Sequence, residues 1–229
     1  MSAINWPQLR YSLDANGWAV VPELLSPDEC RAVAALFDGG KGFRSHVHMA
    51  RHGFGRGEYK YFSYPLPEKI AELRTVLYPP LAETANYWNA AMGIETRYPP
   101  AHAHYLQQCH DAGQTRPTPL LLSYGRGDYN RLHQDLYGDM VFPLQLAVLL
   151  SSPETDFTGG EFVLTEQQAR MQSRPHVVPL MQGGAVIFPV RQRPVRSARG
   201  YTRVTMRHGV SEIRSGSRHT LGIIFHDAQ

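Results

Sequence analysis

The spacing of hydrophobic positions changes near the middle of the chain. In the first half they recur with helical period: Trp6 to Ala15 predicts a short helix stopped by Gly17, and Trp18 to Val21 a strand ended by Pro22. Ser26-Pro27-Asp28-Glu29 is a capping box with proline at the first helical position, opening a helix with Cys30, Val33, Ala34 and Phe37 on one face. After a loop rich in glycine and histidine, Ile70, Leu73, Leu77, Leu81, Ala85 and Trp88 carry helical periodicity from Pro67 to Met92. Pro79-Pro80 inside that run predicts two packed helices. Another helical piece is expected from Ala101 to Asp111.

From Pro119 onward the pattern becomes short apolar runs separated by glycine, proline and aspartate. These are Leu120 to Tyr124, Asn130 to Asp135, Val141 to Leu150, Glu161 to Leu164, Val177 to Leu180, Ala185 to Val190, Tyr201 to Met206 and Thr220 to Phe225. Runs at this spacing predict a sandwich or barrel, and their number is that of a jelly roll. The expected fold is mainly β with a helical N-terminal half: a double-stranded β-helix (jelly-roll) core flanked by helices. We expect one domain over 1–229, with 1–118 as helical flank and substrate-loop region and 119–229 as core.

Composition narrows this picture. A chain of 229 residues is long enough for one sizeable core. It has no long uninterrupted apolar run and no charged leader followed by one, so a soluble, cytoplasmic protein without a membrane partner is expected. Cys30 and Cys109 lie in unrelated contexts and form no CxxC pair, which removes a disulfide or zinc framework. Formal net charge is only +3, and Lys41, Lys60 and Lys69 are the only lysines. Arginine's flat fork suits phosphate or carboxylate, although a GC-rich genome produces the same bias. Arg191, Arg193, Arg196, Arg199, Arg203 and Arg207 crowd one stretch.

The candidate chemistry starts at His133 and Asp135. Two residues apart in an extended run, they project to the same face while Gln134 points away, so an imidazole and a carboxylate can reach one metal. A lone H-x-D also arises by chance, and a strand histidine is often simply hydrogen-bonded. A facial triad needs a second histidine, and His176, His208, His219 and His226 all follow in order.

Several segments around these residues form one ordered series. They are Tyr124-Gly125-Arg126-Gly127-Asp128-Tyr129 with Leu132-His133-Gln134-Asp135, Gly159-Gly160-Glu161-Phe162, Gly183-Gly184-Ala185-Val186-Ile187-Phe188, and His208-Gly209-Val210 with Gly216-Ser217-Arg218. This half of the chain resembles the prolyl-hydroxylase and AlkB-like branches of the Fe(II)- and 2-oxoglutarate-dependent oxygenases, departing at Gly184 where their pattern has aspartate. Cys109-His110, Arg116-Pro117-Thr118-Pro119, Leu136-Tyr137-Gly138, Thr165-Glu166-Gln167 and Gly222 to Asp227 extend the likeness. With these, Met49 to Asp227 resembles a prokaryotic 2-oxoglutarate oxygenase family with a proposed role on damaged nucleic acid.

The resemblance implies Fe(II), 2-oxoglutarate as co-substrate and O2, with His133, Asp135 and His208 as metal ligands. In such enzymes an arginine about one strand beyond the second histidine pairs the distal carboxylate of 2-oxoglutarate, and only His208 has one, Arg218, at that spacing. Arg214 is its rival, but the preceding glycine fits Arg218. Tyr124 is expected to donate a second hydrogen bond to the co-substrate. The implied activity is oxidative hydroxylation or demethylation, with alkylated bases in single-stranded or damaged nucleic acid as substrate. A protein side chain or small metabolite is the alternative. Ligand type alone does not separate iron from zinc, so a jelly-roll zinc hydrolase and a non-catalytic binding module stay open.

For nucleic acid, the expected contacts are Arg56, Tyr59, Lys60 and Tyr61 from the segment 46–62, with Arg193 and Arg196 from the arginine stretch. That segment reads either as a loop closing over the iron or as an ordered loop tiling the sheet with Tyr61 and Phe62 buried. Its three histidines, His46, His48 and His52, have no carboxylate or cysteine at ligand spacing, so they do not by themselves predict a second metal site.

Overall fold

A computed structural model describes residues 4–198 and 200–229; Arg199 of the arginine stretch lies outside the described residues. In chain order the elements begin with α1 (Trp6–Asn16), β1 (Ala19–Val21), α2 (Pro27–Ala35), β2 (Phe43–His48), β3 (Gly55–Arg56), β4 (Glu58–Phe62), α3 (Glu68–Ala91) and α4 (His102–Asp111). The strand-rich half follows with β5 (Leu120–Tyr124), β6 (Tyr129–His133), β7 (Leu144–Leu149), β8 (Phe157–Gly159), β9 (Phe162–Gln167) and β10 (Arg174–Val178). The last elements are β11 (Ala185–Pro189), β12 (Gln192–Ser197), β13 (Gly200–Val210), β14 (Ile213–Gly216) and β15 (Arg218–Ile224).

The helix ends follow their local signals. Asn5 caps α1, and Gly17 ends it in the left-handed conformation at φ 80°. At α2 the Ser26 hydroxyl accepts from Glu29 N–H at 3.2 Å while the Glu29 carboxylate accepts from Ser26 N–H at 2.8 Å, the reciprocal pair the sequence predicts.

One expectation fails here. Pro67 to Met92 holds a single helix, α3, with Pro79 and Pro80 inside it. The two prolines free the carbonyls of Thr75 and Val76, which lie on the exposed side, while Leu73, Leu77, Tyr78 and Leu81 pin both halves to the core. Tertiary packing outweighs the proline penalty.

The large sheet runs β1-β11-β7-β15-β5-β4-β2 and the facing sheet β10-β9-β13-β6-β3, with β12 paired to β13; β14 and β8 form a small ribbon. Helices cover the outer face of the large sheet: Leu9, Leu13, Cys30, Leu73, Leu77 and Trp88 pack with Leu121, Leu146, Val148, Ile187, Leu221 and Ile223. Between the sheets lie Ala147, Phe162, Leu164, Val186, Phe188, Val204 and Met206. Strands β7 and β11 are thus buried on both faces, which is why they read as continuous apolar runs.

The sandwich matches the expected fold class, but its parts are divided differently along the chain. Segment 46–62 is not a lid: β2, a 3-10 turn at Met49–His52, β3 and β4 extend both sheets. The N-terminal half therefore supplies sheet as well as helix. Its alternation, with Tyr59 and Tyr61 on the inner face and Glu58 and Lys60 on the outer, is that of an ordinary half-buried strand.

Candidate active site

Strand β13 runs past the predicted Met206 to Val210 and carries His208 opposite His133 of β6. Strand β6 ends at His133, so Asp135 stands just beyond the strand that the sequence suggested would contain it. The three side chains nevertheless converge: one ligand atom from each of His133, Asp135 and His208 lies within 4.8 Å of the others. Asp135 Oδ2 is 3.2 Å from His208 Nε2, and Oδ1 is 3.5 Å from His133 Nε2.

Their surroundings fix which atoms face inward. His133 Nδ1 sits 2.7 Å from the Arg131 carbonyl, which can only accept, so Nδ1 carries a hydrogen and Nε2 is the ring atom left to face the centre. Phe188 and Phe162 pack against the His208 ring at 4.7 and 6.0 Å. Its buried Nδ1 has no partner among the described residues. Tyr137 donates to Asp135 Oδ1 at 2.8 Å, and Tyr61 donates to Tyr137 at 2.8 Å.

Burial favours a neutral Asp135, but the charge of His208 and hydrogen bonds from both imidazoles outweigh it and hold the carboxyl well below its ordinary range. Burial lowers the His208 pKa. For His133 burial acts the same way but loses to Asp135, and the value rises. An anion flanked by two imidazoles is a suitable donor set for a divalent cation.

The triad lies where two spaces meet. An inner cavity of about 60 Å³ is lined by His133, Asp135, His208, Tyr124, Arg218 and Thr220 among others. An outer cleft of about 510 Å³ shares His133 and Asp135 but is walled by Phe54, Tyr59, Tyr61, Arg131 and Tyr137.

Arg218 closes the inner space. Only 1 % exposed, it pairs in register with Tyr124, and its Nη1 donates to Thr220 Oγ1 at 2.5 Å while its buried Nε has no partner among the described residues. Burial pulls its pKa down to about 10, which still leaves a full positive charge at neutral pH. Two glycines make its placement possible. Gly216 turns the chain at φ 77°, and at Gly160 (φ 63°) a Cβ would meet the Arg218 Cδ at 2.9 Å. The rival Arg214 is exposed and reaches Glu161 at 3.9 Å. Tyr124 is buried beside Arg218, with its hydroxyl accepting from Asn130 at 3.3 Å, and burial raises its pKa to about 12.

The other predicted contacts divide. Tyr59 and Tyr61 face the outer cleft. Arg56 and Arg196 are exposed on β3 and β12. Lys60 must be withdrawn as a substrate contact: it is on the opposite face of β4 and donates to the Phe37 carbonyl at 2.7 Å. Arg193 must be withdrawn too, because it is 4 % exposed and locked to Glu166 at 2.5 Å and the Asp14 carbonyl at 3.1 Å. Tyr137, Asn130 and Thr220 were missed as site residues. The signals were present, since Thr220 is two residues from Arg218 on the same face and Tyr137 two from Asp135.

Residues 57–228, containing every residue of the triad and its arginine, match the family described as "Oxygenase, catalysing oxidative methylation of damaged DNA". The chain belongs to this oxygenase family. Two uncharacterized proteins of Mycobacterium tuberculosis, from two strains, are 52% identical to it over 167 residues, covering 73% of this chain and 72% of theirs.

Among solved structures, a Pseudomonas putida prolyl-4-hydroxylase superimposes with TM-score 0.54 at 17% identity, over 98% of this chain and 99% of that one. A 2-oxoglutarate-Fe(II) oxygenase family member from Burkholderia pseudomallei gives 0.55 at 16%, over 99% and 94%. HygX of Streptomyces hygroscopicus, solved with nickel and 2-oxoglutarate, gives 0.51 at 15%, over 96% and 87%. The fold of this oxygenase is therefore the jelly roll that these structures share. No helix among its described residues is long and apolar enough to cross a membrane.

Proposed function

We propose that this oxygenase is an Fe(II)- and 2-oxoglutarate-dependent dioxygenase that oxidises alkyl groups on bases of damaged nucleic acid. The observation that carries this reading is the buried guanidinium of Arg218, with an unpartnered Nε, closing the inner cavity that the triad opens onto. A buried cation without an anion is costly, and a dicarboxylic keto acid supplies the missing carboxylate at a distance from its metal-chelating end. A zinc hydrolase on the same triad leaves Arg218 and Tyr124 without a role.

In this reading His133 Nε2, Asp135 and His208 Nε2 hold the iron, Arg218 pairs the distal carboxylate in a fork, and Thr220 and Tyr124 orient that end. When bound, the iron with 2-oxoglutarate and O2 supplies the oxidant that converts C–H to C–OH, with succinate and CO2 as co-products. The protein orients its ligands and keeps water from the inner space. Tyr59, Tyr61 and Phe54 give the outer cleft aromatic faces for a flipped-out or single-stranded base, and Arg56, Arg131 and Arg196 provide exposed cations for phosphates. The two cysteines are free and buried, which accords with a cytoplasmic location.

The test is succinate formation by purified protein with Fe(II), 2-oxoglutarate and a panel of methylated oligonucleotides, peptides and metabolites. Succinate coupled to loss of the methyl group from an oligonucleotide is expected. Coupling only to a peptide or metabolite would overturn the substrate, and no 2-oxoglutarate consumption under any condition would overturn the reaction class.

A further inference from the structure

The outer face of the large sheet carries a second group of metal-ligand type, separate from the triad. On edge strand β2, His46 and His48 are two residues apart and share one face, and the register pairs His48 with Glu58 of β4. His46 Nε2 lies 2.7 Å from Glu58 Oε2 and His48 Nδ1 lies 3.1 Å from Oε1, while the two imidazole centroids are 4.6 Å apart. One atom from each side chain falls within 4.8 Å of the other two. His52, the third histidine of this stretch, stacks on Phe54 instead.

We propose that His46, His48 and Glu58 form a second divalent-metal site that takes zinc. Tetrahedral zinc with ligands at about 2.0–2.1 Å places them about 3.3–3.5 Å from one another. The observed spacings reach that by small side-chain rotations, without moving the strands. Two imidazoles and one carboxylate suit zinc, with copper and nickel next, and do not suit magnesium or calcium. Each of the three side chains is about two-fifths exposed, leaving solvent to fill the fourth position. A plain surface ion pair needs one imidazole per carboxylate, whereas here both converge on the same one.

The site would clamp β2 to β4 at the sheet edge. The other face of β4 presents Tyr59 and Tyr61 to the outer cleft, so bound zinc would stiffen the wall of that cleft from behind. The proposal does not depend on the oxygenase chemistry.

The experiment is zinc titration of tag-free protein in competition with a chromophoric chelator. Wild type should take up two equivalents. Asp135→Ala/His208→Ala, which dismantles the triad, should keep one, and zinc should still raise its melting temperature. Adding Glu58→Gln or His48→Ala to that background should weaken the remaining equivalent by about tenfold or more, no less than the loss expected for a mere supporting partner of a ligand. His52→Ala should leave it unchanged. The proposal is overturned if the triad-disabled protein takes up no zinc, or if its equivalent survives Glu58→Gln and His48→Ala with unchanged affinity.

Discussion

Arg74 and Arg218 are both withdrawn from solvent, at 2 % and 1 % exposure, one packed against the end of β15 and the other at its start, yet their surroundings are opposite. Arg74 uses all three of its nitrogens. Nε donates to the Ile224 carbonyl at 2.9 Å, Nη1 to Tyr64 at 3.0 Å, and Nη2 to the His226 carbonyl at 3.0 Å and to Asp227 at 2.7 Å. Asp227 in turn accepts from Tyr64 and lies 2.8 Å from His110. Arg218 has one hydroxyl partner, an orphaned Nε and a cavity in front of it. A guanidinium whose donors are all engaged belongs to the fold, and one buried with donors to spare is a receptor for an anion. By the same criterion Arg193, paired with Glu166, is structural.

The largest expected effect separates the two on folding. Arg74→Met leaves the Asp227 carboxylate buried without its cation, and unfolding in urea should show a loss of about 3–5 kcal/mol. Arg218→Met strands no buried partner anion, so the ligand-free protein should be as stable as wild type or more so. Equal losses in the two variants would break the distinction.

The sequence displays one of these arginines and hides the other. Arg218 stands in a G-x-R segment at a recognisable distance from His208, and the short-strand pattern points to the sandwich that brings them together. Arg74 is an unremarkable helix position whose partner Asp227 lies 153 residues away, so nothing local announces its burial. Arg193 is misread for the same reason, its partner Glu166 being on another strand. Lys60 is different, because the alternation of Glu58-Tyr59-Lys60-Tyr61 already assigns it to the face opposite the tyrosines. Reading that segment as a loop, on its glycines and histidines, concealed the alternation. The prolines in α3 mislead because local propensity is opposed there by packing on both sides.

Ligand binding sharpens the contrast next. With a redox-inert divalent metal in the triad, 2-oxoglutarate should raise the melting temperature of wild type and of a mildly destabilised surface variant, but not of Arg218→Met. The concentration of 2-oxoglutarate needed for half-maximal turnover should rise by roughly a hundredfold or more in Arg218→Met, as expected when a buried ion pair loses one partner. Arg218→Lys should recover only part, because an ammonium cannot present the two parallel donors. A full response in Arg218→Met would remove the co-substrate role from this residue.

Acid should act through the Arg74 side of the comparison. Burial tends to raise the Asp227 pKa, but the Arg74 charge and the hydrogen bonds to His110, Arg74 and Tyr64 outweigh it, so the folded value lies below the ordinary one. Its contribution is therefore complete above the unfolded pKa of about 3.9 and is lost as pH falls through the folded value. Burial also lowers His102 and His226 to about 4, so between about pH 6.5 and 4 the unfolded chain binds protons that the native one does not. Urea midpoints should fall across that upper window in wild type and Asp227→Asn alike. Below it the gap between the two proteins should narrow, and a gap that widens there would contradict the depressed Asp227 value.

The smallest effect concerns a neutral donor beside the site. Tyr137 holds Asp135 Oδ1 with its hydroxyl at 2.8 Å, while Oδ2 faces His208. By occupying one carboxylate oxygen it leaves the other for the metal, which favours single-oxygen ligation and fixes the carboxylate plane. Tyr137→Phe keeps the ring and its edge-on contact with Tyr61 at 6.0 Å but frees the carboxylate to rotate. Metal affinity, measured by titration without co-substrate, should fall by about tenfold, the low end for losing a partner of a metal ligand. Tyr61→Phe removes only the donor behind Tyr137 and leaves the Asp135 bond intact, so its effect should be smaller still. If Tyr61→Phe weakened metal binding as much as Tyr137→Phe, the loss would come from packing of the cleft wall, and the hydroxyl of Tyr137 would not be what orients Asp135.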